Sequence, residues 1–253
     1  MPRELTTEHR MLADHRRAFA WSLLLLAACV GSLFAVGRHP PELAPLTTFR
    51  FIGRFDASVY RWVDDIRNTP LTWLCRALNV IGGGIVTIPL RVAVTAYLLI
   101  RRWWLRATAF ALTWALSEIS LTWLKAFFHR GRPPLPLVLT SGFSFPSGHA
   151  VAGAATGVAL VLALFAAGPR RRRWEWLAIA FTFVMALSRM YLAAHWFSDT
   201  VAGTLLGSGI AIFVAAAATE VRDLVRREGG RPIPIDRTTP KAGEPFSGDP
   251  ARS

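Results

Sequence analysis

A chain of 253 residues that is 53% hydrophobic, with mean hydropathy +0.35 and 10 tryptophans, is too apolar for an ordinary soluble domain and points to a bilayer as its solvent. Net charge is +13, and of the 29 basic residues only Lys125 and Lys241 are lysine. The arginines gather at the ends of apolar runs, where membrane topology puts them, which speaks against a nucleic-acid partner.

Residues 1–17 are polar and carry Arg3, Arg10, Arg16 and Arg17, and the apolar run 18–36 follows. This run is longer than a usual signal-peptide core and its leader holds Glu4, Glu8 and Asp14, so a retained first span is expected. Residues 38–70 mix Arg38, Arg50, Arg54, Arg61 and Arg67 with Glu42, Asp56, Asp64 and Asp65, a pattern that predicts a loop with short helices lying at the surface. Residues 71–81 are amphipathic, and Gly82, Gly83 and Gly84 lead into a second span ending near Ile100. Arg91 sits inside that span, where a charge costs about 2.5–3.5 kcal/mol, so it should snorkel to the inner surface or face protein, the former being the expectation. Arg101, Arg102 and Arg106 close the span, with Trp103 and Trp104 as interfacial anchors. Cys29 and Cys75 read as unpaired fillers, although a bond between them stays open.

A third span is predicted at 105–124, followed by a proline-bearing loop at 128–145. The fourth, at 146–167, is stopped by Gly168, Pro169 and four arginines; the fifth covers 174–192 and the sixth 198–219. Arg222, Arg226 and Arg227 follow, residues 228–253 are rich in proline and glycine, and 221–253 is expected to be a disordered cytoplasmic tail. The domain plan is thus a cytoplasmic segment 1–17, a six-span all-α helical bundle at 18–220, and the tail. All the basic clusters then fall on one side, which the positive-inside rule makes cytoplasmic together with both termini. The loop at 128–145 and the turn at 193–197 face outward. No transporter-like internal repeat stands out.

Three groups of residues fall on that outward side. At the start of the fourth span, Pro146 suits a first helical turn, and Ser147 and Gly148 offer free backbone N–H groups to an anion at the positive end of a helix dipole. His149 beside them can give or take a proton near neutral pH. At the exit of the third span stand Lys125 and Arg132. Ser188 and Arg189 end the fifth span, and Ser198 is expected to cap the sixth, leaving His195 just outside it. Asp199 could accept from His195 Nδ1, freeing Nε2 as a nucleophile. Two histidines, an orienting carboxylate, three cations and a helix N-terminus match the needs of phosphoryl transfer. The sequence shows no acidic-histidine cluster of a metal site, so neither metal nor cofactor is expected.

Lys125, six residues, Arg132 and Pro133; then Pro146, Ser147, Gly148 and His149; then Ser188 and Arg189, five residues, His195, three residues and Asp199: this order and spacing resembles the three-part signature of the type 2 phosphatidic acid phosphatase (PAP2) family, with no departure at any position. The resemblance implies that Lys125, Arg132, Ser147, Gly148 and Arg189 bind phosphate, that His195 is the nucleophile, Asp199 its orienter and His149 the general acid. It implies a bacterial inner-membrane lipid phosphatase with its site facing the periplasm, acting through a phosphohistidine on undecaprenyl diphosphate before phosphatidylglycerol phosphate, phosphatidic acid or a lipid A phosphate. The competing readings are transfer of the phosphoryl group to another lipid, a vanadium haloperoxidase using the same pocket, and a non-enzymatic protein binding or transporting an anionic lipid.

Overall fold

The computed structural model describes residues 11, 12, 14–36 and 49–229, and among them the regular structure is entirely helical. In chain order the helices are α1 (His15–Val36), α2 (Phe49–Asp65), α3 (Thr69–Ile81), α4 (Gly84–Ile100), α5 (Trp104–Phe128), α6 (Gly148–Leu164), α7 (Arg172–Tyr191) and α8 (Phe197–Gly229). Each expected apolar run is a helix, and the mixed stretch before residue 70 contains α2. Residues 1–10 and the tail beyond 229 lie outside the described residues.

The helix ends follow local chemistry. Asn68 caps α3 by accepting from Leu71 N at 2.9 Å, and Pro70 occupies the first turn, where a missing N–H costs nothing. α5 stops at His129, which adopts a left-handed conformation at φ 49. Two expected ends move. α6 begins at Gly148 with Ser147 as its cap residue, so Pro146 lies before the helix and not in its first turn. The cap of α8 is not Ser198: Trp196 N donates back to Asp199 Oδ2 at 2.9 Å, the reach-back half of a capping box, while the Ser198 hydroxyl is taken by Asp56 at 2.6 Å. α8 also continues to Gly229, past the expected boundary at 220, because Val221, Leu224 and Val225 keep an apolar side and basic residues suit a helix C-terminus.

α8 is the central post, packed most extensively against α1 and α6, with α5 and α7 also on α6. Small residues make this possible. A Cβ added at Gly203 would lie 2.7 Å from Ser147 O, and one at Gly207 would lie 2.5 Å from Val151 O. The four-residue spacing lets α8 approach the α6 backbone directly, as in membrane helix pairs. Large apolar side chains point outward instead: Ile85 and Ile100 on α4, Ile119 and Trp123 on α5, Phe183 and Leu187 on α7 are all exposed. Such a belt suits lipid better than water. Among the described residues α8 is long and apolar enough to cross a membrane by itself, and α3 with α4 meet that test together, bent by 42°.

Arg91 does not snorkel. It is 2% exposed, donates from Nε to Thr156 Oγ1 at 2.8 Å, pairs with Glu118 at 2.7 Å and lies 5.5 Å from the Trp114 ring. Partners on two other helices hold the charge inside the bundle, the alternative open to an intramembrane cation. Cys29 and Cys75 are buried and free.

Candidate active site

The loop from His129 to Ser147 folds back on itself at one end of the bundle. Ser144 N donates to Arg130 O at 2.8 Å, and Gly131 O accepts from Ser144 Oγ and from Trp196 Nε1, both at 2.9 Å. Phe145 and Ser147 are fully buried beneath this clasp. Ser147 N donates to Asp199 O at 3.0 Å, so the start of α6 is tied to the start of α8. The clasp thereby brings the three separated stretches of sequence to one place.

The cations and the imidazoles meet there. Lys125 Nζ and Arg132 Nη2 both donate to Phe143 O. Arg132 Nη1 donates to Ala194 O at 2.7 Å and to His195 Nε2 at 3.3 Å. His195 Nδ1 donates to Ser144 O at 2.7 Å; a carbonyl can only accept, so Nδ1 carries the proton and Nε2 keeps its lone pair. The Asp199 carboxylate sits farther from Nδ1, at 3.6 Å, so the carbonyl is the nearer orienter. His149 Nε2 donates to Asn79 O at 3.0 Å, and Arg189 donates to the Asn79 side chain. Gly82 leaves room for this: a Cβ there would lie 2.9 Å from His149 Cδ2.

Two donors in this cluster are left over. Ser147 Oγ makes no cap bond and is buried without a partner, as is Arg189 Nε. A buried unmatched donor costs about 1–3 kcal/mol, and an anion held at the α6 N-terminus would satisfy both. Gly148 is less open than the sequence suggests, since a Cβ there would lie 3.3 Å from Leu121 Cδ2; its small size also serves the packing of α5 on α6.

Three residues in the cluster were not singled out from the sequence. Arg130 pairs with Asp199 and, at 2.6 Å, with Asp56 of α2, whose other oxygen accepts from Ser198 N at 3.0 Å. Asp56 and Asp199 are 2% and 0% exposed, so Arg130 neutralises two buried carboxylates together. Asn79 links Arg189 to His149 from α3. No short-range pattern marks any of them; the one available signal is a charged residue, Arg130, inside the six-residue spacer of the Lys-Arg motif.

Outside the helices the electrostatics favour a neutral imidazole at His195. Burial pushes the His195 imidazole down to about 4, the Asp199 carboxylate opposes this, and Arg132 and Arg189 add to it. Burial likewise lowers Arg132, with Asp199 acting against the shift.

The fold is shared with the crystal structure of the first transmembrane PAP2 type phosphatidylglycerolphosphate phosphatase from Bacillus subtilis, with TM-score 0.61 and 22% identity over 83% of this chain and 98% of that one. It is also shared with LpxE of Aquifex aeolicus, TM-score 0.53 and 21% identity over 62% of this chain and 93% of that one. Both likenesses are of fold, an all-helical bundle. The PAP2 superfamily model matches residues 106–223, the stretch that holds every signature residue. An undecaprenyl-diphosphatase of Sulfolobus acidocaldarius is 38% identical over 69 residues, which is 27% of this chain and 30% of the length of that protein.

Proposed function

We propose that the chain is an integral-membrane lipid phosphatase that works through a phosphohistidine. The observation that carries this reading is the pair of buried, unpartnered donors, Ser147 Oγ and Arg189 Nε, beside an imidazole whose unprotonated Nε2 accepts from Arg132, a cation of the same cluster. Lys125, Arg132, Ser147, Gly148 and Arg189 hold the phosphoryl oxygens. His195 Nε2 forms a bond to phosphorus as the bond from phosphorus to the lipid oxygen breaks, and His149 gives its proton to that oxygen. For this, His149 must enter the step as the imidazolium, with its Nε2–H turned from the Asn79 carbonyl to the leaving group. Water then attacks phosphorus, His149 takes its proton, and the bond to His195 breaks. Asp199 steadies the imidazolium through its carboxylate, 3.6 Å from His195 Nδ1, and through the turn it caps.

The bundle crosses the membrane six times, counting α1 and α4 to α8, with the termini cytoplasmic and this site outward. The apolar belt and the gathering of Arg101, Arg102, Arg106 and Arg170 to Arg173 at the opposite helix ends support that orientation. Undecaprenyl diphosphate is the preferred substrate, a choice that leans on the Sulfolobus relative. The test is phosphate release by the purified protein from a panel of lipid mono- and diphosphates, with His195→Ala as blank. Release from none of them, or equal release by the blank, would overturn the reading.

A further inference from the structure

At the α4–α5 turn, the end of α5 away from Lys125, the bundle carries an open pocket of about 290 Å³ lined by Arg102, Arg106, Arg222, Trp103 and Trp104, with Met11 and Leu105. Among the described residues no carboxylate lines it. Arg106 is 6% exposed. Its Nη1 donates to Ala163 O at 2.9 Å and its guanidinium lies 4.9 Å from the Trp103 ring, but its Nη2 is buried with no partner. Arg222 is engaged by the neighbouring Asp223 at 2.9 Å.

We propose that this cavity binds the phosphate group of an anionic phospholipid in the leaflet it faces. Guanidinium groups bind phosphate through paired N–H donors, and a phosphate oxygen here would supply the acceptor that Arg106 lacks. The volume lies at the lower end of the range for small-ligand pockets, enough for a head group and not for a second lipid body. Trp103 and Trp104 set the depth, because indoles settle at the level of the head groups. Basic pockets between spans on the arginine-rich side of a membrane hold anionic head groups by this logic. Nothing lining the cavity can act as a nucleophile or a proton shuttle, so the site binds without turnover.

The experiment measures the thermal midpoint of the full-length protein in detergent with saturating phosphatidylglycerol, with phosphatidylcholine, or with inorganic phosphate. Phosphatidylglycerol should raise the midpoint by about 4 °C or more and phosphatidylcholine should not. Arg102→Gln should remove more than half of the shift. Arg189→Ala, which alters the other end, should keep it and so exclude lipid bound in the candidate active site. Arg106→Gln should abolish the shift, and because that buried substitution can impair folding, the exposed Arg102 carries the comparison. An equal shift from phosphatidylcholine, or one unchanged in Arg102→Gln, would overturn the site. A shift with inorganic phosphate alone would overturn the lipid assignment in favour of free phosphate. A shift that emerges only in Glu4→Gln/Glu8→Gln would show that the chain's own N-terminal segment fills the cavity, which also overturns it.

Discussion

Each end of the bundle holds a buried arginine with an N–H lacking an acceptor, Arg189 Nε at one and Arg106 Nη2 at the other. Around Arg189 stand two imidazoles, the free Ser147 hydroxyl and the Arg130–Asp199 pair; around Arg106 stand two other arginines and two indoles. Both ends suit an anion. Only the first also has a lone pair aimed from a fixed tautomer and a proton to give. Cations locate an anion, and it takes a base and an acid beside them to locate a reaction.

The contrast can be broken most sharply at His195. His195→Ala should retain less than about a thousandth of the wild-type phosphate release, a loss of about 4 kcal/mol in transition-state stabilisation. If most activity survived, the first end would be no more than a second anion site. Arg130→Ala leaves Asp56 and Asp199 buried without their shared counter-charge, and the thermal midpoint should drop by about 6 °C or more; an unchanged midpoint would mean the pair holds nothing together. His149→Ala should cost about a hundredfold on a lipid monophosphate, whose leaving alkoxide needs a proton. On a diphosphate, whose leaving group is a phosphate, the loss should be clearly smaller, and equal losses would remove His149 from the role of acid.

The pH profile sharpens the same point. Protonating His195 Nε2 removes the attacking lone pair, so kcat/KM falls as pH falls. Because burial holds that imidazole down to about 4, the acid limb assigned to it should lie well below pH 6.5; a limb at 6.5 would mean an ordinary, solvated histidine. The smallest effect belongs to the far end. Arg102→Gln should leave phosphate release within about twofold, and a large loss would mean the two ends are not separate in function.

The sequence made the helices and the three signature stretches legible because both are local: runs of apolar residues and fixed spacings. What it could not show was contact across distance. Asp56 meets Arg130 from 74 positions away, and Asn79 meets Arg189 from 110 away, with nothing in the neighbouring residues to announce either. Arg91 escaped for the same reason, since its partners Glu118 and Thr156 lie on α5 and α6. Ser198 was taken for a cap because caps favour serine, but a hydroxyl beside a buried carboxylate binds that instead. The geometry also divides the task given to Asp199: the Ser144 carbonyl fixes the His195 tautomer, a contact between a ring and a backbone atom that no residue type encodes.

The bare contact of Gly203 and Gly207 with the α6 backbone makes a rigid plate of the two helices that carry His149 and Asp199. A plate of this kind does not part readily, so on the proposed reading a lipid enters past α3 and the loop after α5. Amide exchange should then be slowest at 150–156 and 202–207 and fastest along 133–143. Fast exchange in the two glycine-lined turns would mean that the plate itself is the door.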